Sequence, residues 1–141
     1  HRGLGGTDGL LRGVNAVISV PVSRHTEVRR EDLPKDAGLE VLLESTESGL
    51  CLIRDEVRRQ TYMFNHLEYD TDTLANEYHR DVSSGDLIEP PAYYFPDNDP
   101  LKEPINMWRA HGSLLIVNWI NDLYQSTSFE LMQIPEQRQA T

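Results

Sequence analysis

The sequence predicts a mixed α/β domain, on three observations. Three short extended segments are crowded into residues 39–65, a short amphipathic helix follows them, and a longer apolar helix is centred near residue 115. At 141 residues the chain has the size of one domain, read here as spanning 1–141. A domain of that size buries about two thirds of its unfolded surface, so a real hydrophobic core is expected.

Taken in order, the stretch from His1 to Gly13 holds five of the nine glycines without forming G-x-G-x-x-G, and reads as a loop. Val14, Ala16, Val17, Ile18 and Val20 make a β-prone run that Pro21 interrupts, predicting a first strand over Val14 to Val20. Three further strands are predicted at Leu39 to Glu44, Gly49 to Arg54 and Gln60 to Asn65. The turn Ser45-Thr46-Glu47-Ser48 and a charged turn near Asp55 separate them, and connections this short imply antiparallel neighbours. Asp70 or Thr71 can cap a helix reaching about Val82, with Leu74 and Tyr78 at i, i+4 and Gly85 just beyond its end. From Glu89 to Pro104 the chain carries five of its eight prolines, which predicts an ordered but irregular loop. A last helix is predicted from about Asn106 to Tyr124. Trp108, Leu115 and Trp119 share one of its faces, broadened by Leu114, Ile116 and Val117, so it is expected to be mostly buried. After Ile134 little apolar material remains, and the tail is expected to fray.

Composition narrows the functional classes. A net charge of -10 repels phosphate backbones, which argues against a nucleic-acid partner. No apolar run approaches the roughly 20 residues of a membrane-spanning helix. The chain opens on His1 without a basic-then-apolar leader, so no targeting segment is expected, and the missing initiator methionine suggests that an N-terminal portion has been lost. The single cysteine, Cys51, cannot form an internal disulfide and suits a reducing cytoplasm. It lies within Leu50-Cys51-Leu52-Ile53, where a small buried thiol is the expected role.

The residues with the clearest chemical potential are His66 and Glu68, at the end of the strand predicted over Gln60 to Asn65. In an extended chain their side chains point the same way. A carboxylate beside an imidazole fixes its tautomer and stabilises the imidazolium formed on proton abstraction, as in the base-plus-orienter pair of a catalytic triad. His-x-Glu alone is a weak signal and reads first as an ordinary, partly exposed pair. The same holds for Arg80, which locally reads as an i, i+3 surface partner of Glu77, and for Ser23, which locally reads as a turn residue.

A series of ordered blocks adds to this local reading. They are Leu10-Leu11-Arg12-Gly13, Ser23-Arg24-His25-Thr26-Glu27-Val28, Gly38-Leu39-Glu40-Val41, His66-Leu67-Glu68-Tyr69-Asp70, Glu77-Tyr78-His79-Arg80-Asp81, Tyr94-Phe95-Pro96-Asp97-Asn98-Asp99-Pro100, Trp108-Arg109-Ala110-His111 and Asn118-Trp119. From about Leu10 to Leu131 the chain thereby resembles the homoserine O-succinyltransferase and O-acetyltransferase family of methionine biosynthesis. The resemblance implies a class I glutamine amidotransferase-like, flavodoxin-like three-layer fold. This chain would be its C-terminal half, completing a mostly parallel sheet with antiparallel strands and two helices. It implies acyl transfer from acyl-CoA to the hydroxyl of L-homoserine through a cysteine thioester, with His66 as general base and Glu68 as its carboxylate partner. Ser23 and Arg80 would be substrate contacts, no cofactor would be needed beyond the acyl-CoA cosubstrate, and the partners would be small molecules and a second copy of the chain. A guanidinium fork suits the carboxylate of an amino acid.

Two departures stand out. The family's Gly-His-Pro-Glu is here Asn65-His66-Leu67-Glu68, which predicts a looser turn, and its Pro-His-Ser-Arg is Pro21-Val22-Ser23-Arg24, which predicts altered substrate preference. The family's nucleophile belongs to an upstream half, so this polypeptide alone is expected to be inactive. Other readings stay open: a two-histidine, one-carboxylate metal site formed by His66, Glu68 and His111; a non-catalytic or partner-dependent subunit of the same fold; and a hydrolase or amidotransferase. Otherwise Trp108 reads as a core anchor and His111 as a satisfied core histidine.

Overall fold

The computed structural model describes residues 1–4 and 8–128; the fraying expected after Ile134 lies outside them. Strands β1 (Arg2–Gly3), β2 (Leu39–Ser45), β3 (Gly49–Asp55) and β4 (Gln60–Met63) pair in sequence order as a four-stranded antiparallel meander. Two helices follow, α1 (Thr73–Ser83) and α2 (Arg109–Ser126). The fold is thus mixed α/β, and all strand pairs among the described residues are antiparallel.

The central hairpin forms where the sequence is most apolar. Leu50, Cys51, Leu52 and Ile53 are all buried, because β3 is covered on both faces, and Val41, Leu42 and Leu43 of β2 join them. Ser45 pairs with Gly49, and the Ser45 hydroxyl accepts the backbone N–H of Glu47 at 3.1 Å. Gly49 closes the turn at φ +66°, a conformation that costs a side chain strain. At the next turn, buried Asp55 accepts the Arg58 N–H and pairs with the Arg58 guanidinium, each at 2.8 Å. The bond from the Arg58 N–H, followed by that from its guanidinium, holds the Asp55 carboxyl below its ordinary pKa.

Three expectations need correction. The strand predicted over Val14 to Val20 is an irregular segment in which only Val17 bridges, to Arg2. Two hydrogen bonds flank that bridge, Gly3 N–H to Ala16 O at 3.0 Å and Ile18 N–H to His1 O at 2.9 Å. The two residues of β1, within the segment read as a loop, are too short a template to extend the pairing. Next, β4 stops at Met63 rather than Asn65, since the chain turns inward there and buries Asn65.

The third correction concerns α2, which is not mostly buried. Gly112, Leu115 and Asn118 form a narrow buried stripe, whereas Ile116, Val117, Trp119, Ile120 and Tyr124 are 40–64% exposed. Spacing of three brings a single row of side chains against the short 3-10 turn Gly9–Leu11, and the small sheet leaves the broader apolar face uncovered. Asn118 fixes this docking by donating to the carbonyls of Leu10 and Arg12, both at 2.8 Å, and so joins two of the sequence blocks. Among the described residues no helix is long and apolar enough to cross a membrane.

A separate aromatic cluster supports α1. Leu74 and Ala75 pack with Tyr94, Phe95 and Trp108, so the proline-rich loop is anchored by two of its aromatic rings. The helix begins at Thr73 without a side-chain cap from Asp72. Instead the Tyr94 hydroxyl accepts the Ala75 N–H at 3.1 Å and donates to the Thr71 carbonyl at 2.5 Å, satisfying a helix-end donor from a distant loop. At the other end Gly85, at φ +95°, ends the helix as anticipated.

Candidate active site

His66 lies where the chain leaves the sheet, and its N–H donates to the Pro21 carbonyl at 2.9 Å. The extended path anticipated through His66 and Glu68 is replaced by a turn at residues 67–68. That turn brings the Glu68 carboxylate back to the ring, with Oε1 at 2.7 Å from Nδ1. With Nδ1–H donating to Glu68, the neutral imidazole presents a lone pair at Nε2. Nε2 stands 3.4 Å from the Ser23 carbonyl oxygen.

The turn is held although its usual glycine and proline are replaced. Asn65 is buried and donates through Nδ2 to the ring of His1 at 3.1 Å. Its φ is not positive, so the freedom of a glycine is not required. Leu67 bridges the main and aromatic cores and lies against Gly112 of α2, where a Cβ would come within 2.9 Å of the Leu67 carbonyl oxygen. The turn predicted to be looser thus lies directly against the backbone of α2.

Tyr69 forms the floor of the site. Its ring stacks on the His66 imidazole with centroids 4.3 Å apart, and its backbone carbonyl accepts the indole N–H of Trp108 at 2.9 Å. The phenol donates to Glu77 Oε1 at 2.8 Å, while Oε2 of the same carboxylate is buried without a partner. Burial, and then the Glu77 carboxylate as acceptor, raise the phenol pKa; the nearby Ser23 hydroxyl opposes them.

Ser23 is presented by a loop pinned through Arg24, whose guanidinium donates to the Leu50 carbonyl at 3.3 Å and also to that of Ser48. Arg80 projects from α1 with a 66% exposed side chain and pairs with Asp81 at 2.6 Å, not with Glu77 as its spacing suggested. Asp81, and Glu77 and Tyr69 at longer range, favour its charged form. The structure thus brings together His66, Glu68 and Ser23 and places Arg80 at the rim, one turn beyond Glu77. Sequence reading missed the roles of Tyr69 and Glu77. Each lies inside a quoted block, but only the fold reveals that the phenol joins the ring of His66 to the carboxylate on α1.

The three-residue metal set is not assembled. His111 lies half-exposed in the first turn of α2, off its buried stripe, and is not a core histidine. Among the described residues no group of three or more His, Cys, Asp and Glu side chains could hold a metal ion. Cys51 is fully buried at 3.9 Å from the Met63 sulfur, and burial pushes its thiol up to about 11. A thiol in that state is not a nucleophile at neutral pH.

Comparison with known proteins gives a concordant result. The sequence profile of the homoserine O-succinyltransferase family matches residues 1–129. Proteins named homoserine O-acetyltransferase from Cereibacter sphaeroides and Rhizobium leguminosarum bv. trifolii are each 49% identical over 134 residues, which is 95% of this chain and 44% of theirs. One from Brucella canis is 50% identical over 124 residues, 88% of this chain and 40% of its own. The chain therefore spans less than half the length of these curated relatives.

Proposed function

The chain belongs to the homoserine O-succinyltransferase family, and from that premise we propose that it carries the base half of an acyltransferase active site. The reaction is transfer of an acetyl or succinyl group from acyl-CoA to the hydroxyl of L-homoserine, through a thioester on a cysteine that these 141 residues do not supply. One observation carries this reading: Glu68 lies 2.7 Å from Nδ1 of the His66 imidazole and orients it, with the opposite nitrogen, Nε2, turned to the Ser23 loop.

In this mechanism the nucleophilic thiolate attacks the acyl-CoA carbonyl, and CoA leaves as the thioester forms. Homoserine then enters. His66 Nε2 takes the proton of its hydroxyl as the oxygen attacks the thioester carbonyl, and Glu68 and the Ser23 carbonyl stabilise the imidazolium. Collapse of the tetrahedral intermediate expels the cysteine sulfur and gives the O-acyl ester, with the proton returned from His66 to the sulfur. Ser23 and the Arg80 guanidinium bind the amino-acid end of the substrate, Arg80 swinging away from Asp81 to reach the carboxylate. No cofactor beyond acyl-CoA is required. The remaining portion completes an amidotransferase-like three-layer fold with a mostly parallel sheet; the working protein is cytoplasmic and pairs with a second copy of itself.

The cysteine-bearing portion belongs either to the same polypeptide or to a partner subunit, and mass spectrometry of the native protein distinguishes them. The 141-residue chain by itself should give no acyl transfer with acetyl-CoA or succinyl-CoA and homoserine, whereas the assembly with the cysteine-bearing portion should. Turnover by the isolated chain that Cys51→Ser abolishes would overturn this reading.

A further inference from the structure

The turn that carries His66 also lays a second ring over it. The backbone N–H of Tyr69 donates to the His66 carbonyl at 3.4 Å, which folds the third residue after the histidine back upon it. The two rings are 18° from parallel with centroids 4.3 Å apart, so the imidazole meets the π-face of the phenol rather than its edge. Two further elements clamp the arrangement. Trp108, at the start of α2, donates its indole N–H to the Tyr69 carbonyl at 2.9 Å, and Glu77 of α1 accepts the phenol proton at 2.8 Å.

A face-on contact treats the two forms of an imidazole differently. The negative π-face offers a neutral ring little beyond packing, but it attracts a cation held within about 6 Å of the ring centre. Hydrogen bonding of the phenol to a carboxylate pushes electron density into the ring and strengthens that attraction. The charged and titratable groups about the imidazole are Glu68 at Nδ1, Tyr69 on its face and, behind the phenol, Glu77. Further along α1 Arg80 is paired to Asp81, the carboxylate that His25 of the Ser23 loop also influences, while Ser23 itself turns a carbonyl to the ring. We propose that Tyr69 is a positioning residue for the base: its ring holds the imidazolium that His66 becomes on taking the hydroxyl proton, and so sets the pH range in which the base works.

This inference rests on the acyltransferase reading, and one arm of its test stands outside that reading. In the first arm, the active assembly of this chain with its cysteine-bearing portion is loaded with acetyl-CoA or succinyl-CoA and mixed with L-homoserine at a series of pH values. The acyl group caps the cysteine sulfur in this step, so the acid limb of the rate belongs to His66. Tyr69→Leu should move that limb to lower pH by about 0.5–1 unit and lower the plateau by a few-fold, because a less favoured imidazolium makes a weaker base. Tyr69→Phe keeps the face and loses the phenol, and should fall between native and Tyr69→Leu. Trifluorophenylalanine at position 69 keeps the shape of phenylalanine but drains its face, and should sit close to Tyr69→Leu. The second arm is NMR titration of the His66 ring protons in the same assemblies, which should give the same order of midpoints without any turnover. Midpoints that coincide in native, phenylalanine and trifluorophenylalanine proteins reduce Tyr69 to packing and overturn the proposal, a comparison that stands even if Tyr69→Leu does not fold. Midpoints in the expected order in an assembly that transfers no acyl group would overturn the acyltransferase reading alone.

Discussion

Arg54 and His66 both stand beside carboxylates, but the outcome differs. Arg54 is held by three acids from three segments: Asp8 at 3.3 Å, Glu56 at 2.6 Å and Asp122 at 3.1 Å. Its side chain is only 14% exposed, and each guanidinium nitrogen has a partner. It ties the N-terminal turn, β3 and the end of α2 together and has nothing left to offer a ligand. His66 has one nitrogen engaged by Glu68 and one open towards a carbonyl at 3.4 Å. Around it the Tyr69 ring stacks on the imidazole at 4.3 Å, and the Tyr69 phenol donates to Glu77 Oε1 at 2.8 Å. All three nitrogens of Arg54 are spent on tying the scaffold together, whereas one edge of the His66 ring faces only a single carbonyl.

If that contrast is right, substitutions at the two places should fail differently. His66→Ala in the active assembly should lower kcat/KM by about 10³-fold or more, since both acid–base assistance and its orientation vanish. The urea midpoint should hardly move, because the ring is partly exposed and its loss leaves no buried charge. Arg54→Met should do the reverse. It strands Asp8, whose side chain is 6% exposed, and should cost about 2–3 kcal/mol in urea unfolding, with the kcat of the folded fraction retained. A His66→Ala protein that unfolds as readily as Arg54→Met would dissolve the distinction between scaffold and site.

How much of this was legible in the sequence follows from which interactions are local. The β2–β3 and β3–β4 hairpins were readable, because apolar runs and short turns sit side by side. So were the end of α1 at Gly85 and the pairing of His66 with Glu68, two residues apart. What escaped depends on distant partners. The exposed face of α2 was invisible, because periodicity reports that a helix has an apolar side but not how much sheet exists to cover it. Tyr69 reaches Glu77 from eight residues away and Arg80 turns to Asp81, whereas spacing along α1 argued for a Glu77–Arg80 pair. Tyr94 as the cap of α1 comes from a loop about twenty residues away, beyond any local capping pattern.

Cys51 extends the contrast to a group that burial itself has silenced. With its thiol raised from an ordinary 9.0 to about 11, its thiolate fraction at pH 8 is lower by about 100-fold. Iodoacetamide labelling of the native chain should be slower than labelling in urea by at least that factor. The sign for stability follows from the raised value. The contribution of the neutral buried thiol is fully present below pH 9 and is lost as the pH rises through about 11. Stability measured at pH 8 and pH 10 should therefore fall more in the native chain than in Cys51→Ala. Equal slopes, or labelling at the rate of an exposed thiol, would show that burial does not silence Cys51.

The smallest effect expected is the most local, and it tests whether the scaffold sets the geometry of the site. Gly112→Ala should favour α2 by about 1 kcal/mol on helix propensity alone. The added Cβ, however, would come within 2.9 Å of the Leu67 carbonyl oxygen and 3.2 Å of the Leu67 Cβ. That neighbour is backbone flanked by His66 and Glu68, so relief of the clash must move one or both members of the pair. The propensity gain should be cancelled, leaving stability within about 1 kcal/mol of native. In the assembly kcat should fall by about 10-fold, because the hydrogen bond between Nδ1 and Glu68 tolerates little displacement. The downfield proton resonance of that bond should shift or broaden, while Ser113→Ala, one residue along on an exposed position, should leave it unchanged. A Gly112→Ala assembly with native kcat and an unmoved imidazole proton would mean that the turn holds itself and that α2 merely lies alongside it.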